Sequence, residues 1–447
     1  MTVTATLRAG GHRPAHVRAR RPPARGGWQL AAVLVAYAGL ALLFSWRTPA
    51  WENNDEADHV TYVEHVAATG SPPPISLAYG VEAAQAPLYY YLAAGWQKAL
   101  GIPAFTPDDR PAAHPVEWRG ARLYYLSHDY DAAERQQALW VHEIRLLSIV
   151  LGAGGVACAY AAVRLLTRRA GPAVAVAATV GFWPKYLVVT AAVTNSALAF
   201  ALCSAALACL AGWWTRRSGW RPVAYGAVAG LAVLADVTTL PVVGAGLALG
   251  VGASLWRKRW RQAAASVAAF AAVAGWWFVD NTVTYGDPLR EAVTTRFLRP
   301  FAGGALIRNP PQLSLSILDT YSRVLVHSVF YDGGWNQLHL PGAWDWALTA
   351  AGLACVAAAL ATRTTGWPLY AGFAAGSVVV WLVLVRATTQ GEGRYLLVAV
   401  AAWAALLVSG ALRAGRGHPL AGWAWPAAFL AVDGWLIATL LVPYGRL

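Results

Sequence analysis

Two adjacent carboxylates and an imidazole fall together in the stretch Asn53-Asn54-Asp55-Glu56-Ala57-Asp58-His59, just after an apolar segment ends near Trp46. On a helix beginning near Asn54, Asp55 and His59 are four residues apart and share a face, while Asp55 and Glu56 point differently. That spacing suits one carboxylate to do the work of a site while the other orients or caps it. The bland alternative is an acidic loop start in which Asn54 and Asp55 cap a helix. Three more places carry chemistry-bearing side chains. Glu82-Ala-Ala-Gln85-Ala-Pro87-Leu-Tyr89-Tyr-Tyr91 sets an acid ahead of a proline and a tyrosine cluster. Lys185 follows Trp183-Pro184 inside an apolar run, where a lysine is a functional candidate by default. Gln390-Gly391-Glu392-Gly393-Arg394-Tyr395 joins glycines that permit close backbone approach to an arginine suited to forked bonds with phosphate, although a lone arginine there is usually an interface anchor.

Composition decides what must position these groups. Hydrophobic residues make up 57% of the 447 positions and charged residues 13%, against about 25% charged in a soluble domain, so most of the surface must face lipid. The net charge of +13 is segregated into short basic clusters between apolar runs, and no nucleic-acid-binding motif accompanies it. Cys158, Cys203, Cys209 and Cys355 all lie inside apolar runs and read as small core hydrophobes. The arginine- and alanine-rich, lysine-poor usage hints at a bacterial source.

Apolar segments near 28–46, 144–166, 171–190, 195–214, 221–236, 238–256, 262–279, 342–361, 367–385, 395–412 and 419–443 give an all-α polytopic membrane protein of about 11 transmembrane helices. Basic residues flank both ends of 221–256, so that run turns back at Asp236-Val-Thr-Thr-Leu-Pro241. Of the 22 acidic residues, 13 fall within 47–143 and six within 280–345. The arginines at 168, 169, 363, 413 and 416 fall in the loops of the other side. By the positive-inside rule the N-terminus is cytoplasmic and the acidic loops are outside. Residues 1–26, rich in arginine and free of acids, read as a disordered basic tail; a signal peptide is less apt, for no small-residue cleavage site follows 28–44. The domain proper is then 27–447. Outer loops of about 47–143 and 280–341 are too long to be connectors, and each carries helical apolar spacing, over 87–100 and 313–330, expected as amphipathic helices on the outer surface.

In this order the motifs resemble the GT-C superfamily of polyprenyl-phosphate-sugar-dependent membrane glycosyltransferases, in the branch of the protein O-mannosyltransferases and lipid A aminoarabinose transferases. The resemblance covers about 30–445. It rests on Asp55-Glu56 after the first span, Ala86-Pro87-Leu88-Tyr89-Tyr90 in the first loop, Arg145-Leu-Leu-Ser148 opening the second span, Val193-Thr-Asn195, Tyr285-Gly-Asp-Pro288 and Gly393-Arg394-Tyr395. The chain departs from the pattern at Ala86, Ser196, Asp236 and Asp280.

The resemblance implies a GT-C-like bundle in which Asp55 is the general base of an inverting sugar transfer and Glu56 assists it. Arg394 is the first choice for the leaving phosphate, with Lys185 and Arg145 next. His59, Glu82, Gln85, Tyr89 and Tyr395 are further substrate-binding candidates. It implies a polyprenyl-phosphate-linked donor, mannose being the first guess, and a hydroxyl acceptor outside a bacterial inner membrane. The loops, which carry no appended domain, lean toward a small or lipid-borne acceptor. No cofactor or metal is expected, although Asp55, Glu56, Asp58 and His59 could offer ligands to a divalent ion. The rival class is a transporter or lipid flippase using Asp236, Lys185 and Asp433 as intramembrane charges; a third is a scaffold whose outer loops bind a partner.

Overall fold

Every one of the eleven apolar segments is helical in the computed structural model, over its described residues. The structure describes residues 26–53, 55–76, 79–106, 116–118, 121–123, 132–215, 219–298, 314–333, 338–388 and 391–441. The basic tail expected over 1–26 lies almost wholly outside them, as do Asn54 and Gln390. Among the described residues nine helices are long and apolar enough to cross a bilayer, ten when a bent pair is counted as one span. The protein is a multi-pass, all-α membrane protein.

The helices are α1 (Gly27–Arg47), α2 (Glu56–Thr69), α3 (Leu88–Ala99), α4 (Ala132–Thr167), α5 (Ala170–Gly181), α6 (Pro184–Thr190), α7 (Asn195–Thr215) and α8 (Trp220–Ala235). They continue with α9 (Leu240–Trp256), α10 (Trp260–Tyr285), α11 (Glu291–Leu298), α12 (Leu315–Ser328), α13 (Gly342–Ala361), α14 (Trp367–Thr388), α15 (Val400–Ala414) and α16 (Ala424–Leu436). Two short antiparallel pairs, Val116–Trp118 with Ala121–Leu123 and Asp332–Gly333 with Leu338–His339, are the strands of the described residues.

Three boundaries differ from the sequence reading, each for a local reason. The segment 171–190 breaks between α5 and α6 by 62°. Pro184 sits at the first turn of α6, which suits its fixed φ, and its ring disfavours a helical residue 183. Helix α4 starts at Ala132, twelve residues before the expected span, so Arg145 lies within the helix instead of opening it. The run 221–256 does turn back: α8 ends at Ala235, the Asp236 carboxylate accepts the Thr238 backbone N–H at 2.9 Å, and α9 follows with Pro241 in its first turn. At 16 residues α8 rises only about 24 Å, short for a full crossing.

Helix α4 packs along α7, α5 and α1; α8 lies between α7 and α10; α15 packs on α13 and α5. The crossings are lined by alanine and glycine, as close helix approach without a hydrophobic driving force requires. On the first-loop side, α2 pairs with α3, and Tyr62 stacks flat on Tyr90 with ring centroids 3.6 Å apart. The Glu64 carboxylate joins three segments there, accepting Gln97 Nε2 at 2.7 Å and the Phe105 N–H at 2.8 Å. The two helices expected on amphipathic spacing are present as α3 and α12; Ser314 caps α12 by accepting the Ile317 N–H at 3.3 Å.

One side chain fixes the corner between α1 and α2. Arg145, fully buried, donates to both Glu56 oxygens, from Nε at 2.7 Å and Nη2 at 2.5 Å. Its remaining N–H groups reach the carbonyls of Ser45 at 2.8 Å, Thr48 at 2.6 Å and Pro49 at 2.8 Å, the unsatisfied C-terminal end of α1. Breaking a buried pair of this kind costs about 3–5 kcal/mol. We expect Arg145→Met to lower the thermal midpoint in detergent by several degrees or prevent folding. Arg145→Lys should rescue little, because an ammonium cannot span five acceptors. A midpoint within a degree of wild type would contradict this account.

Candidate active site

Asp55 closes the loop that this corner holds. It occupies the position before α2 with φ 60° and ψ 8°, a left-handed conformation that aspartate tolerates better than most residues, and its side chain makes no capping bond. The carboxylate instead turns toward Arg394, whose Nη1 and Nη2 both reach Oδ2 at 3.0 Å. Among the described residues Oδ1 accepts no hydrogen bond. The Arg394 Nε also lies 2.8 Å from Glu392 Oε2, and Nη2 donates to the Tyr395 hydroxyl at 3.3 Å. Arg394 is brought there by a tight turn. Gly393 donates its N–H to Ser328 Oγ at 2.7 Å, and a Cβ at residue 393 would run into the backbone of Val329.

Arg394 forms one wall of a groove of about 380 Å³ whose polar lining includes Asn53, Lys185, Thr194, Ser196 and Asp332. Lys185 stands at the start of α6, where the α5–α6 break aims it into the groove, and it is ion-paired with Asp332 of the second-loop hairpin. Trp183, two residues earlier, donates Nε1 to the Val329 carbonyl at 2.9 Å and so pins that loop to the break. Beside this polar groove lies an apolar cavity of about 690 Å³, lined by Trp183, Val329, Phe330, Leu396, Leu397 and Trp425 among others. Leu396 and Leu397 follow Arg394 directly, so a head group at the arginine would have its apolar tail beside these leucines.

Behind Asp55, a buried cluster joins α2 to α3. His59 Nδ1 meets the Tyr90 hydroxyl at 2.9 Å and lies 3.7 Å from Glu82 Oε2; the Tyr90 hydroxyl is 3.4 Å from the same oxygen. Burial lowers the His59 pKa to about 3, with the Arg394 charge adding to the effect, so the ring is neutral at physiological pH. Burial also holds Glu82 well above the usual carboxylate range, reinforced by the nearby Asp55 charge.

The ten residues singled out from the sequence separate into two sets. Lys185 and Arg394 line the groove, Asp55 and Tyr395 are bonded to Arg394 there, and Glu82 and His59 form the cluster on the α2–α3 side. The other four do not reach the groove. Glu56, read as a catalytic partner, is fully buried on Arg145 and also accepts the Val193 N–H at 2.9 Å and the Trp51 N–H at 3.1 Å. Arg145, read as a phosphate ligand, has its guanidinium spent on Glu56 and three carbonyls, because α4 carries it inward past the point where a span would open. Tyr89 accepts the Thr194 N–H at 3.0 Å and bonds Ser148 Oγ at 2.9 Å; Gln85 Oε1 lies 3.4 Å from Asn195 Nδ2. Glu56, Tyr89 and Gln85 hold the 193–195 turn, which presents Thr194 to the groove, and Arg145 acts on it only through Glu56. His59 meets Asp55 through the backbone alone, its N–H donating to the Asp55 carbonyl at 3.0 Å, while its ring turns to Tyr90.

Sequence reasoning missed Asp332, Asn53, Thr194 and Ser196 as groove residues. Thr194 and Ser196 sat inside a quoted motif, but nothing local marks Asp332, whose role comes from a contact across 147 positions. The ligand set considered for a divalent ion does not converge, since Glu56 is held by Arg145 and His59 by Tyr90. Among the described residues no group of three His, Cys, Asp or Glu is placed to hold a metal. Of the charges a transporter would use, Lys185 is paired, Asp236 caps a turn, and Asp433 is fully buried with neither oxygen hydrogen-bonded.

Two outcomes follow from this geometry. Gly393→Ala forces the Val329 backbone to yield and should displace Arg394, costing about 1–3 kcal/mol of stability by overpacking. Gly391→Ala meets only the Tyr321 ring and should cost less; equal midpoints for the two variants would contradict the reading. For His59, the folded pKa lies below the unfolded one, so stability is full above about pH 6.5 and is lost as the pH falls toward 3. His59→Gln should therefore flatten the fall of the thermal midpoint between pH 6.5 and 4. An unchanged slope would show that the ring titrates freely.

No family model and no curated protein matches the sequence. Solved structures similar to the chain include ArnT from Cupriavidus metallidurans bound to undecaprenyl phosphate, at 14% identity over 90% of this chain and 78% of that one, with a TM-score of 0.41. The oligosaccharyltransferase of Archaeoglobus fulgidus in its apo form is 14% identical over 91% of this chain and 56% of its own, with a TM-score of 0.47. The same archaeal protein tethered to an acceptor peptide containing the NVT sequon scores 0.46. This chain spans little more than half the length of the archaeal protein. The likeness concerns helical architecture alone.

Proposed function

We propose that the protein is an inverting glycosyltransferase that moves a sugar from a polyprenyl-phosphate donor to an acceptor hydroxyl at the outer face of a bacterial inner membrane. The observation that carries the reading is the pairing of Asp55 with Arg394 on a polar groove that adjoins a large apolar cavity. A carboxylate for the acceptor proton, cations for a phosphate and an apolar recess for an isoprenoid chain are the three things such a reaction needs side by side.

In this mechanism Asp55 Oδ1 takes the acceptor proton as the acceptor oxygen bonds to the anomeric carbon from the face opposite the phosphate. The bond from that carbon to the phosphate oxygen breaks, its electron pair leaves with polyprenyl phosphate, and the configuration inverts. Arg394, shared between Oδ2 and the departing oxygen, stabilises the charge that develops there. Lys185 is the second cation, once the phosphate replaces Asp332 beside it. Glu392 keeps Arg394 aimed at the groove in both states. Glu56 and Arg145 act by position, holding the loop that carries Asp55.

The test uses membranes carrying the full chain and a radiolabelled polyprenyl-phosphate mannose, the first donor to try, with other donors in parallel. General base catalysis contributes about 100- to 10,000-fold, so Asp55→Asn should lose transfer by that factor at unchanged expression. Arg394→Gln should lose about 100- to 1,000-fold, the cost of removing one such donor. Wild-type transfer by Asp55→Asn would remove the carboxylate from the mechanism, and donor movement across the bilayer without sugar transfer would favour a flippase.

A further inference from the structure

Helix α7 begins at the 193–195 turn beside the groove, and its 21 residues carry the chain about 30 Å, to the opposite membrane face. There the ends of α7, α9 and α10 border a small recess open to the surface, lined by Trp213, Trp214, Ser254, Arg257, Arg259 and Gln262 among others. Gly250 lets the Trp213 ring approach α9 where a Cβ would collide with it. Arg257 stands 5.5 Å over the Trp214 ring, a contact that holds the guanidinium in place.

Two features of this recess are unfavourable as they stand. Arg257, Lys258, Arg259 and Arg261 crowd the start of α10, whose first turn holds no acidic residue and whose Arg259 cap makes no side-chain bond. Arg257 and Lys258 follow the C-terminus of α9, which favours cations, whereas Arg259 and Arg261 stand at the positive end of α10, which repels them. Among the described residues none of the four pairs with an acid. Trp256 and Trp260 stand beside them 90% and 63% exposed, as expected of rings seated at a head-group boundary. The positive-inside rule accounts for cations on this face, but not for a recess between three helices that gathers two of them with Gln262.

We propose that this recess binds the phosphate head group of an anionic phospholipid from the leaflet opposite the candidate active site. Arg257 and Arg259 supply forked donors to the phosphodiester, Gln262 adds an amide, and the uncapped N–H groups of α10 complete a shell for negative charge. Trp256 and Trp260 lie along the upper acyl chains. Basic recesses between spanning helices suit such head groups, each cation contributing about fivefold to binding.

The experiment measures the thermal midpoint of the detergent-purified full chain titrated with dioleoylphosphatidylglycerol, with dioleoylphosphatidylcholine, and with inorganic phosphate. The expected result is a saturable rise with phosphatidylglycerol alone. In Arg257→Gln/Arg259→Gln the half-saturating concentration should increase by about 30-fold, from two cations, with Lys258 and Arg261 left to hold the topology. Arg257→Lys/Arg259→Lys should keep part of the effect, which guards against a folding defect in the glutamine pair. Arg363→Gln/Arg416→Gln, exposed on the same face away from the recess, should leave the titration unchanged. Equal loss in that control pair, an equal rise with phosphatidylcholine, or saturation by inorganic phosphate would each overturn the proposal.

Discussion

The ion pair between Arg145 and Glu56 is the constraint on which the candidate site depends. Two charges sealed from water are tolerated only when each polar atom is met. Here the guanidinium meets the carboxylate twice and three carbonyls at the end of α1. The same carboxylate takes the N–H of Val193 and of Trp51. One junction thus ties α1, α2, α4 and the turn before α7, and Asp55, the residue before Glu56, inherits its position from it. The left-handed backbone at Asp55 is held by this frame instead of by its own side chain, which leaves the carboxylate available for chemistry.

Charge compensation at the groove follows the opposite rule. Arg394 is shared between Asp55 and Glu392, and Lys185 is met by Asp332. These acids come from segments between the spanning helices, whereas Lys185 sits in the first turn of α6 and Arg394 in the short turn Gly393–Tyr395. The Arg394 pair is partly exposed, whereas Lys185 and Asp332 are buried, so each of the two cations faces the groove with a carboxylate already beside it. The Arg145–Glu56 pair thus lies sealed behind the loop, and the other two pairs lie at the groove. The His59–Tyr90–Glu82 cluster lies between them, and burial keeps its histidine uncharged, so it adds no positive charge to compete with Arg394 for Asp55.

Much was legible in the residues. Eleven apolar runs, the asymmetric distribution of acids and arginines, and the polar break at Asp236 were enough for the all-helical membrane class and for the two helices of 221–256. The tyrosine cluster gave α3, and the glycines of Gly391-Glu-Gly393 foretold a close backbone approach that Gly393 makes against Val329. Roles within the site were harder to read. Glu56 and Arg145 looked reactive because the sequence gives residue type without burial, and a buried salt bridge and a catalytic pair use the same side chains. Asp332 had no local signal at all.

Hydropathy and charge are local properties, so the sequence alone determined that this chain is a bundle of spanning helices with most of its acids in two long segments between them. Which of those charges face each other is a property of packing. Only the tertiary structure decided that Glu56 answers Arg145 across 89 positions and that Asp55 answers Arg394 across 339. The physical reason is that solvation, not residue type, decides whether a carboxylate supports a fold or serves a reaction, and solvation is set by what the rest of the chain places around it.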